Sequence, residues 1–205
     1  MAYAPRVEAP VAEPIACVLA GGRARRLGGA KATALLAGRP LIAYPLDALR
    51  WAGLEAVVVA KPDSPLPEID VPVWLEPEGP PHPAAGIAEA LRRAAGRPVL
   101  AIACDMPLVP PGLLLHLAQR SAPVVVPSTE GRLHPLCARY EAAVLAPVDQ
   151  AVLAGTPLHE VIEGLGADLI GDQALAAFGD PEVTLFNVNT RDDLARAEEL
   201  LRAAG

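Results

Sequence analysis

Aromatic residues are scarce in this chain: two Trp, three Tyr and two Phe among 205 residues. A core without them has to be built from Ala, Leu and Val, and an apolar content of 52% supplies that material. No apolar run reaches the ~18 residues of a membrane span, so no membrane is expected as a partner. Basic residues are outnumbered, 17 Lys and Arg against 24 Asp and Glu, for a formal net charge of −7. Gripping nucleic acid through its phosphates needs a basic face, and that class is excluded. The three cysteines, Cys17, Cys104 and Cys137, are odd in number and too widely spaced for a disulfide framework or a zinc constellation. Two of them fall in strand-like runs, where a thiol packs as a small apolar group. The N-terminus lacks the basic-then-apolar order of a secretory leader, and the expectation is a cytoplasmic protein. Two familiar phosphate-binding signatures are also missing. Gly22 and Gly28 have five residues between them, Gly29 follows, and neither Ser nor Thr comes after Lys31; no G-x-G-x-x-G occurs anywhere.

What the chain does contain is alternation. Proline (23) and glycine (17) are frequent but dispersed between periodic segments, where they act as punctuation. Residues 1–14 are rich in Ala and Pro without apolar periodicity and read as a loose tail; residues 15–205 read as one domain. Continuous apolar runs predict strands at 15–20, 56–60, 71–75, 98–103 and 124–126, with further short strands containing Tyr140 and near Leu185. Helices are predicted over 40–51, 84–95 and 110–119, followed by two more and a terminal helix over 192–203. Strands that are apolar throughout and alternate with helices form a mostly parallel sheet covered on both faces. In such sheets ligands bind beyond the carboxyl ends of the strands, which gathers Gly21, Gly22 and Asp105 at one edge.

The stretch that organises the chain is Leu19-Ala20-Gly21-Gly22-Arg23-Ala24-Arg25-Arg26-Leu27-Gly28-Gly29-Ala30-Lys31. Two adjacent glycines let the backbone turn sharply and come close to a ligand, since neither carries a Cβ. Backbone N–H groups in such a turn form a concave anion site, and three arginines and a lysine follow within nine residues. By spacing alone this is either a phosphate grip or an ordinary strand-to-helix turn with solvated arginines. Asp105, after an apolar strand, is by position either a helix cap or a metal ligand. His134 is by position structural or substrate-facing. Asn187 and Asn189 alternate, which puts them on one face of a strand. Thr190 with Asp193 three residues on has the look of a capping box. His82, His116 and His159 carry no motif.

Four runs, in order, resemble the molybdenum cofactor guanylyltransferases and the wider group of MobA-like nucleotidyltransferases. They are the LAGGxxxRLGG…K stretch, Ala103-Cys104-Asp105-Met106-Pro107, Arg132-Leu133-His134-Pro135-Leu136-Cys137-Ala138-Arg139-Tyr140, and Phe186-Asn187-Val188-Asn189-Thr190-Arg191-Asp192-Asp193-Leu194. The resemblance spans about residues 15–194 and implies a three-layer α/β/α Rossmann-like nucleotidyltransferase fold with a mostly parallel sheet. It implies transfer of GMP from GTP to the phosphate of a molybdopterin-type acceptor with release of pyrophosphate, and transient contact with other molybdenum-cofactor proteins. A cytidylyltransferase for the same pterin, a guanylyltransferase for another phosphorylated metabolite and a catalytically silent nucleotide-binding module are the alternatives.

Carried over residue by residue, the resemblance makes Lys31, Arg26 and Asp105 the catalytic residues, with Asp105 the ligand of a magnesium ion (Mg2+). Leu19, Ala20, Gly21, Gly22, Lys31, Glu76 and Asp105 are expected at the nucleotide, and His134, Asn187 and Asn189 at the acceptor. Lysine is a mobile point charge and arginine a planar fork able to contact two phosphate oxygens, which suits both to a triphosphate. Two departures stand out. Ala30 precedes the loop lysine where the family has an aspartate, and the family's GPLAG-like turn reads Pro83-Ala84-Ala85-Gly86.

Overall fold

A computed structural model describes residues 12–21, 23–24, 29–79 and 82–204. Its strands are β1 (Ile15–Leu19), β2 (Arg23–Ala24), β3 (Gly29–Ala30), β4 (Leu35–Leu36), β5 (Arg39–Pro40), β6 (Ala56–Ala60), β7 (Val73–Leu75), β8 (Val99–Ala103), β9 (Val124–Thr129), β10 (Arg132–Leu133), β11 (Cys137–Tyr140) and β12 (Asp168–Ile170). The helices are α1 (Ala43–Trp51), α2 (Ala85–Arg93), α3 (Pro111–Ala118), α4 (Leu145–Ala154), α5 (Leu158–Gly164), α6 (Asp172–Leu175), α7 (Pro181–Thr184) and α8 (Arg191–Ala204). Eight strands form one sheet in the order β10-β9-β11-β8-β1-β6-β7, with β12 also paired to β9. The ladders β1–β6, β1–β8, β6–β7 and β9–β12 are parallel, while β11 runs against both of its neighbours. The expected α/β fold with a mostly parallel sheet is what forms.

Burial explains the layering. Along β1, Ala16 and Val18 pack with Leu46, Leu49, Leu113 and Leu117 of α1 and α3 on one face. Ile15 and Cys17 pack with Ile87, Leu91, Val148 and Ile162 of α2, α4 and α5 on the other. A strand apolar at every position is thus required, because both faces are covered. The three cysteines are buried and free, and burial pushes the thiols of Cys104 and Cys137 up to about 12, so they pack as apolar side chains. A third small cluster (Leu36, Leu41, Val188 and Ala197) docks α8 onto the β4–β5 hairpin. No helix among the described residues is long and apolar enough to cross a membrane.

Several local expectations shift. The helix predicted from residue 40 starts at Ala43, because Arg39 and Pro40 are taken up in β5, opposite Leu36 and Leu35. The strand predicted near Leu185 does not form. Asp180 instead caps the short helix α7, its carboxylate accepting from the Glu182 N–H at 3.0 Å, with Pro181 at the first helical position. Asn187 and Asn189 therefore lie on an irregular segment and not on one face of a strand. The β12 strand had no predicted counterpart; it is a three-residue edge whose pairing with Val125, Val126 and Pro127 is decided by tertiary context. Residues 1–11 of the predicted tail lie outside the described residues. At 12–14 the carbonyls of Glu13 and Pro14 accept from Arg97 and that of Ala12 from the buried Arg139.

Candidate nucleotide and acceptor site

Parallel register brings the ends of four strands level. Leu19 stands opposite both Val59 and Ala103, and Ala60 opposite Leu75. The residues just past these ends are Ala20 and Gly21, Lys61, Glu76, and Cys104 and Asp105. They meet along the carboxyl edge, as the rule for parallel sheets requires. Backbone bonds hold the edge: Ala20 N–H donates to Val59 O and Glu76 N–H to Ala60 O, both at 2.8 Å, and Cys104 N–H to Leu19 O at 3.1 Å.

Beside a cleft of about 590 Å³ lined by Lys61, Glu76, Pro77 and Arg92 among others, two clefts that share residues with each other open there. The first, about 700 Å³, is lined by Leu19, Gly21, Lys61, Glu76 and Gly86 among others. The second, about 450 Å³, is lined by Arg132, His134, Asn187, Asn189, Leu158 and His159 among others. Lys31, His82, Pro83, Asp105 and Leu136 belong to both. The predicted nucleotide residues thus separate from the predicted acceptor residues, with Lys31 and Asp105 at the seam. Of the predicted residues, Gly22 and Arg26 lie outside the described residues, and Arg23 is described only by its backbone pairing with Ala30.

At the seam Lys31 Nζ donates to Asp105 Oδ2 and, at 2.6 Å, to Asn189 Oδ1. Lys31 sits on a single 3-10 turn, Lys31–Thr33, directly after β3. Asp105 follows β8, is 7% exposed, and its carbonyl accepts from Val188 N–H at 2.8 Å, which ties the Asn187–Asn189 segment to the sheet. Asn189 is fixed in turn by the start of α8: the N–H groups of Asn189 and Thr190 both donate to Asp193 Oδ2 at 2.8 Å, and Asp193 N–H donates to Thr190 Oγ1 at 3.1 Å. That is the reciprocal capping arrangement expected from the sequence. Burial acts to raise the Asp193 carboxyl. The Asn189 N–H, the Thr190 hydroxyl and N–H, and the Lys31 ammonium outweigh it and hold the group below its usual range. Asn187 spends its amide on Leu185 O at 3.0 Å, a local structural bond beside the cleft.

Asp105 Oδ1 is buried and has no hydrogen-bond partner among the described residues. An oxygen lone pair in that condition suits a cation, since a buried acceptor left unmatched is costly. Among the described residues no group of three His, Cys, Asp or Glu side chains could hold a metal by itself. Magnesium needs no such cage, because it is held by one or two carboxylates together with phosphate oxygens and water. The donor set therefore fits that ion.

In the first cleft, Glu76 is only 8% exposed. Its Oε1 lies between two glycines: a Cβ on Gly21 would stand 2.7 Å from it, and a Cβ on Gly86 3.0 Å. A side chain at either place would have to displace the carboxylate, and at Gly86 also Leu19, whose Cδ2 stands 3.0 Å from that Cβ position. Burial raises the Glu76 carboxyl above its usual range, Lys61 pulls it back and Glu89 adds to the rise.

The second cleft owes its wall to a register shift. In the β9–β10 ladder Arg132 opposes Thr129 and Leu133 opposes Ser128, but by β11 Arg139 opposes Val125. Three residues, His134, Pro135 and Leu136, are extruded from the returning strand. They are held by His134 N–H to Pro127 O (2.9 Å), Tyr140 Oη to Pro135 O (2.6 Å), and Ala103 N–H to Leu136 O (2.7 Å). His134 Nε2 lies 2.7 Å from Thr129 Oγ1. Burial lowers its pKa, Arg132 lowers it further and Asp172 opposes them, so the site favours the neutral ring.

Two site residues escaped sequence reasoning. Ala84 N–H donates to His82 Nδ1 at 3.1 Å, which leaves Nε2–H to donate to Thr156 O at 2.9 Å. His82 thus straps the connection after α4 to the turn before α2, and only its place before the Pro83 turn hinted at it. Lys61 gave one signal, its position as the first residue after a buried strand.

Residues 16–169 match the MobA-like NTP transferase domain. A molybdenum cofactor guanylyltransferase of Cereibacter sphaeroides is 36% identical over 192 residues, covering 90% of this chain and 95% of that protein. One from Rhizobium leguminosarum bv. trifolii is 34% identical over 202 residues, covering 91% and 92%. The crystal structure of molybdopterin-guanine dinucleotide biosynthesis protein A from Archaeoglobus fulgidus superposes with a TM-score of 0.78 at 26% identity, covering 92% of this chain and 98% of that one. With two clefts meeting at Lys31 and Asp105, and with relatives matched over nearly their whole length, the chain belongs to the MobA-like NTP transferase domain family and is a nucleotidyltransferase.

Proposed function

We propose that this chain transfers GMP from GTP to the terminal phosphate of a molybdopterin-type acceptor in the cytoplasm. The observation that carries the reading is Lys31, whose ammonium joins Asp105 and Asn189 where the two clefts meet. GTP occupies the first cleft with its base toward Gly21 and Glu76, and the acceptor phosphate enters from the second, beside Asn189 and His134. An acceptor phosphate oxygen attacks the α-phosphorus, the bond from that phosphorus to the β-bridging oxygen breaks, and pyrophosphate leaves. The attacking phosphate is already ionised, so no general base is needed and catalysis rests on positioning and charge neutralisation. Lys31 supplies a cation to the triphosphate, and charge growing on the departing pyrophosphate makes that contact stronger in the transition state than in the ground state. Asp105 would hold Mg2+ through its unmatched oxygen, and the ion would supply charge neutralisation to phosphate oxygens there. Asn189 orients the lysine from the acceptor side.

Guanine is favoured on chemical grounds. A carboxylate only accepts, through two oxygens, and among the four bases guanine alone offers two adjacent donors, N1–H and N2–H2. Buried Glu76 is matched to that edge. The experiment is calorimetric titration of GTP, CTP, ATP and UTP with Mg2+, followed by pyrophosphate release with GTP and the phosphorylated pterin. GTP is expected to bind tightest and to turn over only with acceptor present. Tighter binding of CTP overturns the guanylyl reading in favour of cytidylyl transfer.

A further inference from the structure

Lys61 has no part in the reading above, yet three observations put it in the wall of the same cleft. It directly follows β6 as Glu76 directly follows β7, and these strands are parallel neighbours with Ala60 opposite Leu75, so the two residues sit side by side at the sheet edge. Along β6, Val57 and Val59 face the α2 layer, and Trp74 of β7 packs against the same layer; by the two-residue alternation Lys61 and Glu76 continue on that face. The Lys61 stem lies against Gly21, where a Cβ would stand 3.4 Å from Lys61 Cγ and 2.7 Å from Glu76 Oε1. Both side chains line the first cleft, Glu76 buried and Lys61 half-buried.

We propose that Lys61 is a specificity-determining residue that donates to guanine O6 while Glu76 accepts from N1–H and N2–H2. The proposal rests on the GTP reading and deepens it. The chemistry follows from the order of groups along the base edge. Guanine presents acceptor, donor, donor in sequence, and the wall presents an ammonium beside a carboxylate. Adenine puts an amino group where O6 stands and repels the ammonium. Uracil offers the carboxylate one donor instead of two. Cytosine offers a donor followed by two acceptors, which reverses the match. Lys61 also serves the empty cleft. It partly offsets the burial of the Glu76 carboxylate, and so keeps an acceptor available that burial and Glu89 would otherwise protonate more readily. An ammonium on a flexible stem can make this change of partner, where a planar guanidinium fork is less adaptable.

The test uses the intact chain with Mg2+ and calorimetric titration of GTP, 6-thio-GTP, 7-deaza-GTP and CTP against wild type and Lys61→Met. Methionine keeps apolar packing along Gly21 and removes the ammonium, its charge together with its donor. Wild type is expected to bind GTP about 10-fold more tightly than 6-thio-GTP, whose sulfur accepts poorly. Lys61→Met is expected to weaken GTP and 7-deaza-GTP by about the same 10-fold and 6-thio-GTP by far less, the lost charge near Glu76 acting on all three alike. Equal weakening of GTP and 6-thio-GTP reduces Lys61 to a general charge and overturns the proposal, as does unchanged GTP affinity in the variant. A loss that spares 7-deaza-GTP moves the contact to N7 and overturns the O6 assignment. A wild type that prefers CTP sinks the guanylyl reading itself, whatever Lys61 does. Preference for GTP with a silent Lys61→Met sinks only the proposal.

Discussion

The two clefts are built by different means. The first takes much of its wall from residues that follow parallel strands in register, so strand pairing delivers Gly21, Lys61, Glu76 and Asp105 to one edge. The second is walled by exceptions: a three-residue extrusion from an antiparallel return, an irregular segment held by Val188 N–H to Asp105 O, by Lys31 and by Asp193, and the connection between α4 and α5. A wall of the first kind is specified by strand pairing, and its character changes only with the side chains placed on it. A wall of the second kind depends on individual hydrogen bonds, each of which can be removed.

The harshest way to break the comparison is to strike the seam. Asp105→Ala removes the carboxylate shared by both clefts, and kcat/KM is expected to fall by roughly 10²–10³ for GTP and acceptor alike. Pyrophosphate release and circular dichroism, measured together, check this; a folded variant with near-wild-type release refutes the role of Asp105. A strike on the first cleft alone is Gly21→Ala. Its Cβ would stand 2.7 Å from the far end of the Glu76 side chain, which moves without unfolding the sheet. The expected result is GTP affinity weakened about 10-fold with acceptor KM unchanged, and calorimetry beside initial-rate kinetics separates the two.

Tyr140→Phe strikes only the second cleft. The tyrosine is fully buried, and losing its hydroxyl leaves the Pro135 carbonyl without that donor, at a cost of about 1–2 kcal/mol. Urea denaturation should show that loss, with acceptor KM raised several-fold and the GTP dissociation constant unaltered. If the variant disturbs GTP binding as much as acceptor binding, the clefts are not independent.

The mildest probe is pH. Burial raises the Glu76 carboxyl above its ordinary 4.5, so its contribution to stability is complete below that value and is lost as pH rises through the raised one. Guanine needs the ionised form, so GTP affinity should climb through the same window and flatten above it. Glu76→Gln, titrated in parallel, should lack that rise; an identical profile in the variant places the titration elsewhere, for example on the triphosphate. Asp193 behaves oppositely. Its pKa is held below the ordinary 3.8, so the stability it lends to the start of α8 is present above that value and is lost as pH falls through the lowered one. The acceptor side should thus begin to loosen only at pH values where the Glu76 effect is already complete.

These differences follow how far each region was legible. Strands apolar at every position predicted the parallel sheet and placed Gly21 and Asp105 at its carboxyl edge, because continuous burial and strand-end placement are local properties; Glu76 was indicated by the family resemblance alone, and Lys61 was missed. Thr190 and Asp193 were readable as a cap for the same reason. The strand expected near Leu185 failed because Asp180-Pro181 starts a helical turn, after which Leu185 enters the main core while Phe186 and Val188 join a side cluster with Leu36 and Leu41. His82 carried no motif. Its role appears only where the turn before α2 meets Thr156, 74 residues away.

The sequence by itself determined the sheet, the layers and the identity of the groups at its carboxyl edge, since apolar runs and glycine placement act through near-neighbour physics. Only the tertiary structure decided that Lys31 reaches both Asp105 and Asn189, 74 and 158 residues distant. It alone decided that Glu76 lies between Gly21 and Gly86, and that Lys61 stands beside it. Side-chain position in these cases is set by strand register and by long-range hydrogen bonds, and no local pattern of residues encodes either.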